Sequence, residues 1–464
     1  MSSRSAQIRR ELGPFSATFI VVANMIGTGI FTTSGIMAAR LPGSGWVLLC
    51  WFFGGLIALS GALCYAELAT RMPVEGGEYV YLKELYHPAL GFLTGWTSFI
   101  VGCSAPIAAS ALSFAEYIFA GLNINSGEIN ALAIFLFKKG TAIFIILLFT
   151  TIHYFGLRWG SRVQNFLTVL KIIIVFGLAS TGIVFGAGSW SKVFSKINGS
   201  FGGMAIGTAM VLVMFSYSGW NASTYIAGEL KRPRKTLPVS LISGTLIVII
   251  LYMAVNTFIF QAVPYSEVRG VIPVLELALV KAFGSWAGDL LSLLIALALL
   301  SSLSAFILIG PRVYFAMAQD RLFFASASKI HTRYHVPGRS IIVQGILAVM
   351  MVIIGSLEQL LVYLGFALWI FPWLAVAGVF IARRRKVGED SAVKFWGYPF
   401  VPLFFLISSI ALMTIAYVNR PLESTAAVLT VVFGIPCYFL WVRGARKPKI
   451  KSSMQNHQNE HDRS

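Results

Sequence analysis

Twelve runs of apolar residues, each near the length that crosses a bilayer, constrain this chain more than any other feature. They fall at about 15–40, 45–70, 90–120, 140–157, 162–186, 204–228, 237–262, 286–317, 340–357, 359–382, 399–418 and 422–442. Hydrocarbon offers the backbone no hydrogen-bond partners, so only helices and closed barrels span it. Runs of roughly 20 residues without strict alternation are helices. The expected class is therefore an all-α integral membrane protein with twelve transmembrane helices. Composition agrees, with 57% hydrophobic and only 12% charged residues among 464. The net charge of +18 would suggest nucleic acid in a soluble chain. Here the basic residues sit in the connections, and orientation in the membrane is the simpler reading; nucleic acid is not an expected partner. An even number of spans puts both ends on one side. That side receives 27 of the 36 Lys and Arg, the other side eight, and Lys171 lies within a run. The positive-inside rule makes both termini cytoplasmic, in a cell membrane. The first run is too long for a cleaved signal peptide and lacks its small-residue site.

The first run holds a weak point. Residues 15 to 37 are apolar, yet Asn24-Met25-Ile26-Gly27-Thr28-Gly29-Ile30-Phe31 lies in their midst. Each glycine costs a helix about 1 kcal/mol relative to alanine. A helix that breaks in the membrane must face protein or a water-filled cavity. The N–H groups of the following half then attract an anion, and the carbonyls of the preceding half attract a cation. A free amino acid carries both charges. The glycines also permit tight helix packing, and this stretch alone leaves both readings open. A second weak point, Phe215-Ser216-Tyr217-Ser218-Gly219-Trp220-Asn221, lies in the sixth run. Five spans reverse the direction of the sixth, so matched interruptions in the first and sixth suit two inverted five-helix repeats. Such pairs are the best sequence pointer to a transporter site.

One ionisable side chain lies deep in a run. Lys171, in Leu170-Lys171-Ile172-Ile173, interrupts the fifth. A lysine at a helix centre costs at least about 2.5–3.5 kcal/mol on insertion scales, and such residues face the bundle interior. The competing reading is a side chain that snorkels to the cytoplasmic interface.

The remaining polar groups carry less. Glu67, Glu229 and Asp320 fall at cytoplasmic helix ends and read as partners of nearby Arg and Lys. Glu116 lies in the outer half of the third helix, and an interface-facing carboxylate is the plainer reading. His153 sits at the cytoplasmic end of the fourth helix and reads as an interfacial histidine rather than a proton relay. The four cysteines lie inside apolar runs without metal-ligand spacing, so neither a disulfide nor a metal is expected. Arg383-Arg384-Arg385-Lys386 reads as a positive-inside anchor to the lipid bilayer. Residues 262–284 could form a short external helix after Pro273 or a plain loop.

Several motifs together resemble the amino-acid permeases of the amino acid–polyamine–organocation superfamily. They are the two interruptions, Gly228-Glu229-Leu230-Lys231-Arg232-Pro233-Arg234-Lys235-Thr236-Leu237-Pro238, Gly310-Pro311-Arg312-Val313-Tyr314-Phe315-Ala316-Met317-Ala318-Gln319-Asp320 and Tyr65-Ala66-Glu67-Leu68 with the stretch 73–79. The likeness covers about residues 10–445 and is nearest to the L-type amino acid transporter branch in its bacterial form. It implies the leucine-transporter fold, a 5+5 inverted repeat plus two accessory helices, with helices 1 and 6 broken. The chain then divides into a cytoplasmic segment 1–14, a first repeat 15–186, a second repeat 204–382, accessory helices 399–442 and a disordered cytoplasmic tail 443–464.

Carried over by motif, the substrate-binding set is Ile26, Gly27, Thr28, Gly29, Phe215, Ser216, Ser218, Gly219 and Asn221. The substrate carboxylate would meet N–H groups at Thr28 and Gly29. Its amino group would meet carbonyls near Ile26, Phe215 and Ser218. Phe215 resembles the family's aromatic gate and Asn221 a polar contact. Lys171 resembles a cation stand-in at a sodium position, bridging the first helix to the eighth near Ser301, Ser302 or Ser304. Animal relatives in this branch bind a glycoprotein through a cysteine in the connection after the third helix. Residues 121–140 contain none, so no disulfide-linked partner is expected.

The resemblance implies alternating access, with sodium-independent exchange of neutral L-amino acids and no cofactor. The alternative is a proton-coupled symporter of cationic amino acids or amines. A membrane enzyme is disfavoured, since no nucleophile–base cluster or metal spacing appears. A nutrient sensor would ordinarily add a soluble domain larger than the short tail here.

Overall fold

The computed structural model describes residues 10–122, 124, 130–184, 193, 203–271, 274–355, 357–395, 397–419 and 421–445. The expected tail beyond residue 445, most of the segment 1–14, Pro273 and part of the connection 121–140 lie outside the described residues. Among those described, the protein is helical without a named strand. Nine helices among the described residues are long and apolar enough to cross a membrane, and Gly203–Ser216 and Gly338–Ile354 are shorter apolar helices. The protein is a multi-pass membrane protein.

In chain order the first helices are α1 (Pro14–Met25), α2 (Gly29–Ala38), α3 (Ser44–Arg71), α4 (Glu78–Leu85), α5 (Pro88–Thr97) and α6 (Ser104–Gly121). Then come α7 (Ala131–Tyr154), α8 (Leu157–Val184), α9 (Gly203–Ser216) and α10 (Pro233–Ala262). Two short helices follow, α11 (Tyr265–Val268) and α12 (Val274–Phe283), then the long α13 (Ser285–Gln319). The last four are α14 (Gly338–Ile354), α15 (Leu357–Arg384), α16 (Phe400–Asn419) and α17 (Pro421–Ala445). Pro14 and Pro233 occupy first helical turns, where the missing N–H would have no partner anyway.

Burial separates centre from rim. α13 packs along α6, and α10 along α3 and α1. α16 and α17 present Ile407, Phe433 and Phe439 outward, as do Phe137 and Phe144 of α7 and Phe166, Ile173 and Phe176 of α8. Large apolar surfaces of this extent suit lipid rather than water.

Within 262–284 the described residues form two short helices, α11 and α12, rather than a plain loop. They sit on the end of α2: Gly270 N–H donates to Gly35 O at 2.9 Å and the Tyr265 hydroxyl to Leu41 O at 2.7 Å. The third apolar run, read as one helix, is interrupted by a π turn at Ser98–Gly102. Pro106 has no N–H to give the preceding turn. There the Ser104 hydroxyl donates to Phe99 O and Cys103 N–H to Ser98 O, both at 2.9 Å.

Three arginine-centred contacts close the end of the bundle where the basic residues gather. Arg312 and Glu229 pair in the interior, at 2.8 Å with both side chains almost fully buried. Glu67 holds Arg71 at 2.8 Å and Arg383 at 2.6 Å. The chain start is tied to the same end, with Leu12 N–H donating to Glu229 O and Lys231 N–H to Leu12 O, each at 3.0 Å.

Candidate substrate site

The chain leaves helical geometry after Met25 and resumes it at Gly29. Ile26 is extended, at φ −76° and ψ 95°. No side chain caps α2 at Thr28, and the first N–H groups of a helix have no partner within it. The second irregular stretch follows α9. Ser218 N–H and its hydroxyl both donate to Phe215 O, at 3.1 and 2.8 Å. A 3₁₀ segment, Ala222–Glu229, continues the chain.

Two glycines let the stretches touch. A Cβ on Gly29 would lie 2.8 Å from Ser216 Cβ and 3.0 Å from its Cα. Gly219 has φ +97°, a conformation natural only to glycine, and a Cβ there would lie 2.9 Å from the Asn24 carbonyl carbon. The Tyr252 hydroxyl joins the two stretches by donating towards Met25 O at 2.8 Å and Ser216 O at 2.9 Å, one proton shared between them.

A cavity opens where they meet. Gly27, Thr28, Gly29, Phe215, Ser216, Ser218 and Ser302 line it. A second cavity is lined by Ser218, Gly219 and Asn221 with Glu78, Ser98 and Tyr225. Asn24, Ser218 and Phe306 border both. Of the expected substrate set, only Ile26 lines neither. Its carbonyl is already engaged, accepting from Lys171 Nζ at 2.7 Å and from the Ser302 hydroxyl at 2.9 Å.

Lys171 is fully buried, so it does not snorkel. Its ammonium donates to Ala23 O at 3.1 Å, Ile26 O at 2.7 Å and Ser302 Oγ at 2.7 Å. Those three contacts use its three protons. Ser302 alone of the three named serines meets it. Ser301 faces Thr168 at 3.0 Å, and Ser304 faces His153 at 2.9 Å. His153 is therefore a buried residue of the core and not an interfacial one.

The sequence assigns no role to Asn24, Tyr252 or Glu78, although Asn24 opens the first weak point and Glu78 lies in the stretch 73–79. Asn24 Oδ1 is buried without a hydrogen-bond partner among the described residues, while its Nδ2 donates to Ile20 O at 2.8 Å. An asparagine inside an apolar run was the signal available. Glu78 opens α4, and its Oε1 accepts from the Tyr65 hydroxyl at 2.7 Å and from Asn221 Nδ2. Burial pushes its carboxyl up to about 7, against hydrogen bonds from Tyr65, Asn221 and Tyr225. The other acidic residues pair elsewhere: Asp320 with Lys83 at 2.7 Å and Glu116 with Lys138 at 2.5 Å.

Comparison with known proteins gives the family of the chain. Residues 12–441 match the model of a family described as amino acid permease. The chain is 30% identical to the serine/threonine exchanger SteT of Bacillus subtilis, over 95% of this chain and 98% of that protein. It is 29% identical to b(0,+)-type amino acid transporter 1 of Mus musculus, over 95% and 89% of the two chains. It is 26% identical to the cystine/glutamate transporter of Homo sapiens, over 96% and 87%. The chain thus belongs to the amino acid permease family of the amino acid–polyamine–organocation superfamily.

Proposed function

We propose that this protein exchanges neutral L-amino acids across the cell membrane by alternating access, without sodium. One observation carries the reading: two non-helical stretches from distant parts of the chain meet at a cavity and offer it both partial charges. The carboxylate of a substrate is bound by the free N–H groups at Thr28 and Gly29, as an anion is at any uncapped helix start. Its ammonium is bound on the other side by Asn24 Oδ1 and by carbonyls near Phe215 and Ser218. The Ile26 carbonyl, though expected to share this task, is held by Lys171 and Ser302. Phe215 closes over the cavity as a gate. The names of the relatives, an exchanger and amino acid transporters, support exchange of this substrate class.

In this reading the twelve apolar runs form a leucine-transporter fold, with α1–α2 as a broken first helix and α9 with Ala222–Glu229 as a broken sixth. Both termini are cytoplasmic. Lys171 occupies the place of a sodium ion, its ammonium bridging the first break to α13. None of the four cysteines lies in residues 121–140, which supports action without a disulfide-linked partner.

Proteoliposomes test the proposal. Labelled L-serine should enter only when unlabelled amino acid is inside, and equally well when choline replaces sodium. Uptake into empty vesicles driven by an acid exterior would instead support proton symport, and labelled L-lysine in the same assay would show whether cationic substrates are carried.

A further inference from the structure

Among the described residues, three carboxylates are buried toward the end of the bundle where arginines gather, and two have arginine partners. Glu67 faces Arg71 and Arg383, and Glu229 faces Arg312. Glu78, equally buried, forms no ion pair among the described residues. The titratable groups that face it are phenols and a thiol: Tyr65 of α3, Tyr81 of its own helix, Tyr225 of the 3₁₀ segment and Cys103 beside α6. Phe306 and Ile309 of α13, Trp369, Phe371 and Pro372 of α15 and Phe405 of α16 complete the surrounding cavity without a charge. An unpaired buried carboxylate is expensive to keep ionised, and neutralisation is the usual escape.

Its position gives that charge a mechanical consequence. α4 is fixed at its far side to α13, where the Tyr79 hydroxyl donates to Asp320 at 2.6 Å and Lys83 Nζ donates to it at 2.7 Å. At its near side, Glu78 joins α4 to Asn221 in the stretch after α9. The loop backbone presses on the same stretch: a Cβ on Gly77, at φ +54°, would lie 2.8 Å from both Thr224 Oγ1 and the Tyr225 ring. Glu78 therefore connects the second non-helical stretch to the end of α13.

We propose that Glu78 is a proton-binding latch. Ionised, its carboxylate accepts from Tyr65, Asn221 and Tyr225 and holds α4 against the second non-helical stretch. Protonated, the carboxyl acquires an O–H that must itself donate. With the charge gone, the bonds from all three donors weaken and the connection slackens. The proton comes from water entering the cavity that Glu78 lines and returns there on release. The proton-binding part stands on this geometry alone. The motion rests on the alternating-access reading.

The test separates the two parts and uses the full purified chain, with no amino acid present. Infrared difference spectra taken from about pH 5 to about pH 9 should show a protonated-carboxyl band that titrates near 7. That band should be missing in Glu78→Gln. Tyr65→Phe removes a donor to the ionised form and should move the midpoint upward. It serves as the second variant if the first does not fold. Spin labels at Glu84→Cys and Arg232→Cys, in a Cys437→Ala background, report the separation of α4 and the end of the 3₁₀ segment. The distance distribution should broaden or lengthen as the carboxyl protonates in the parent, and be independent of pH in Glu78→Gln. A band unchanged by Glu78→Gln, or a midpoint unmoved by Tyr65→Phe, overturns the proton site. A titrating band with distances that do not follow it overturns the latch and leaves exchange, measured separately in vesicles, unaffected.

Discussion

The Lys171 ammonium lies 2.7 Å from the Ile26 carbonyl and so satisfies, from α8, the backbone that the first interruption leaves without a helical partner. Both lone pairs of that carbonyl are used, the second by Ser302 at 2.9 Å. Lys171→Met has two opposed effects on stability. Each carbonyl stripped of its donor costs about 1–3 kcal/mol. Relief of a buried charge without a counter-ion offsets a comparable amount. The thermal midpoint should therefore move by only a few degrees, while exchange falls by about tenfold or more, since 1.4 kcal/mol lost at the break already gives that factor. Full exchange in the variant would remove Lys171 from the mechanism.

Gly29→Ala places a methyl against Ser216 and forces the two non-helical stretches apart. Binding of L-serine, followed as ligand-induced thermal stabilisation, should be lost, along with about 1–3 kcal/mol of stability typical of overpacking. Adding Ser216→Gly removes the Cβ and hydroxyl from the collision and should restore part of both. An unaltered ligand response in Gly29→Ala would place the site elsewhere.

Glu229→Gln removes the counter-ion of Arg312, whose side chain is only 2% exposed. Breaking one side of a buried pair costs about 3–5 kcal/mol, so the variant should show a much lower midpoint and poor recovery from membranes. Replacing both residues with apolar side chains of similar volume should be milder than the single change. Calorimetry of the three proteins provides the comparison.

Stability should also vary with pH through Glu78. Its folded carboxyl is raised from 4.5 to about 7, so the folded protein binds the proton more tightly than the unfolded chain does. The contribution is most favourable below about 4.5, declines as pH rises towards 7 and is constant above that. The range corresponds to about 3 kcal/mol. Glu78→Gln should flatten this part of the pH–stability curve and be the more stable protein at alkaline pH. A parent curve that rises over the same interval would contradict the assignment.

The sequence by itself determined that the chain is helical and multi-pass, because hydrocarbon leaves only helices and closed barrels and apolar runs of this length without alternation are helices. It also marked both interruptions, since glycine and small hydroxylated residues are conspicuous in an apolar run, and Lys171, since a charge there has few places to go. What it could not supply was which groups from distant segments meet. Ser302 rather than Ser301 or Ser304 faces Lys171 because of the rotation of α13, and adjacent serines on a helix point in directions about 100° apart. His153 reads from the sequence as an interfacial histidine, and Glu78 has no reading of its own there. Packing made one a core residue and the other a buried carboxylate without a cation. The π turn at Ser98–Gly102 was equally hidden, for Pro106 announces a disturbance but not its form. Local composition sets where a backbone is free to leave the helix. Only the arrangement of neighbouring helices decides which donors, acceptors and charges occupy the space it leaves.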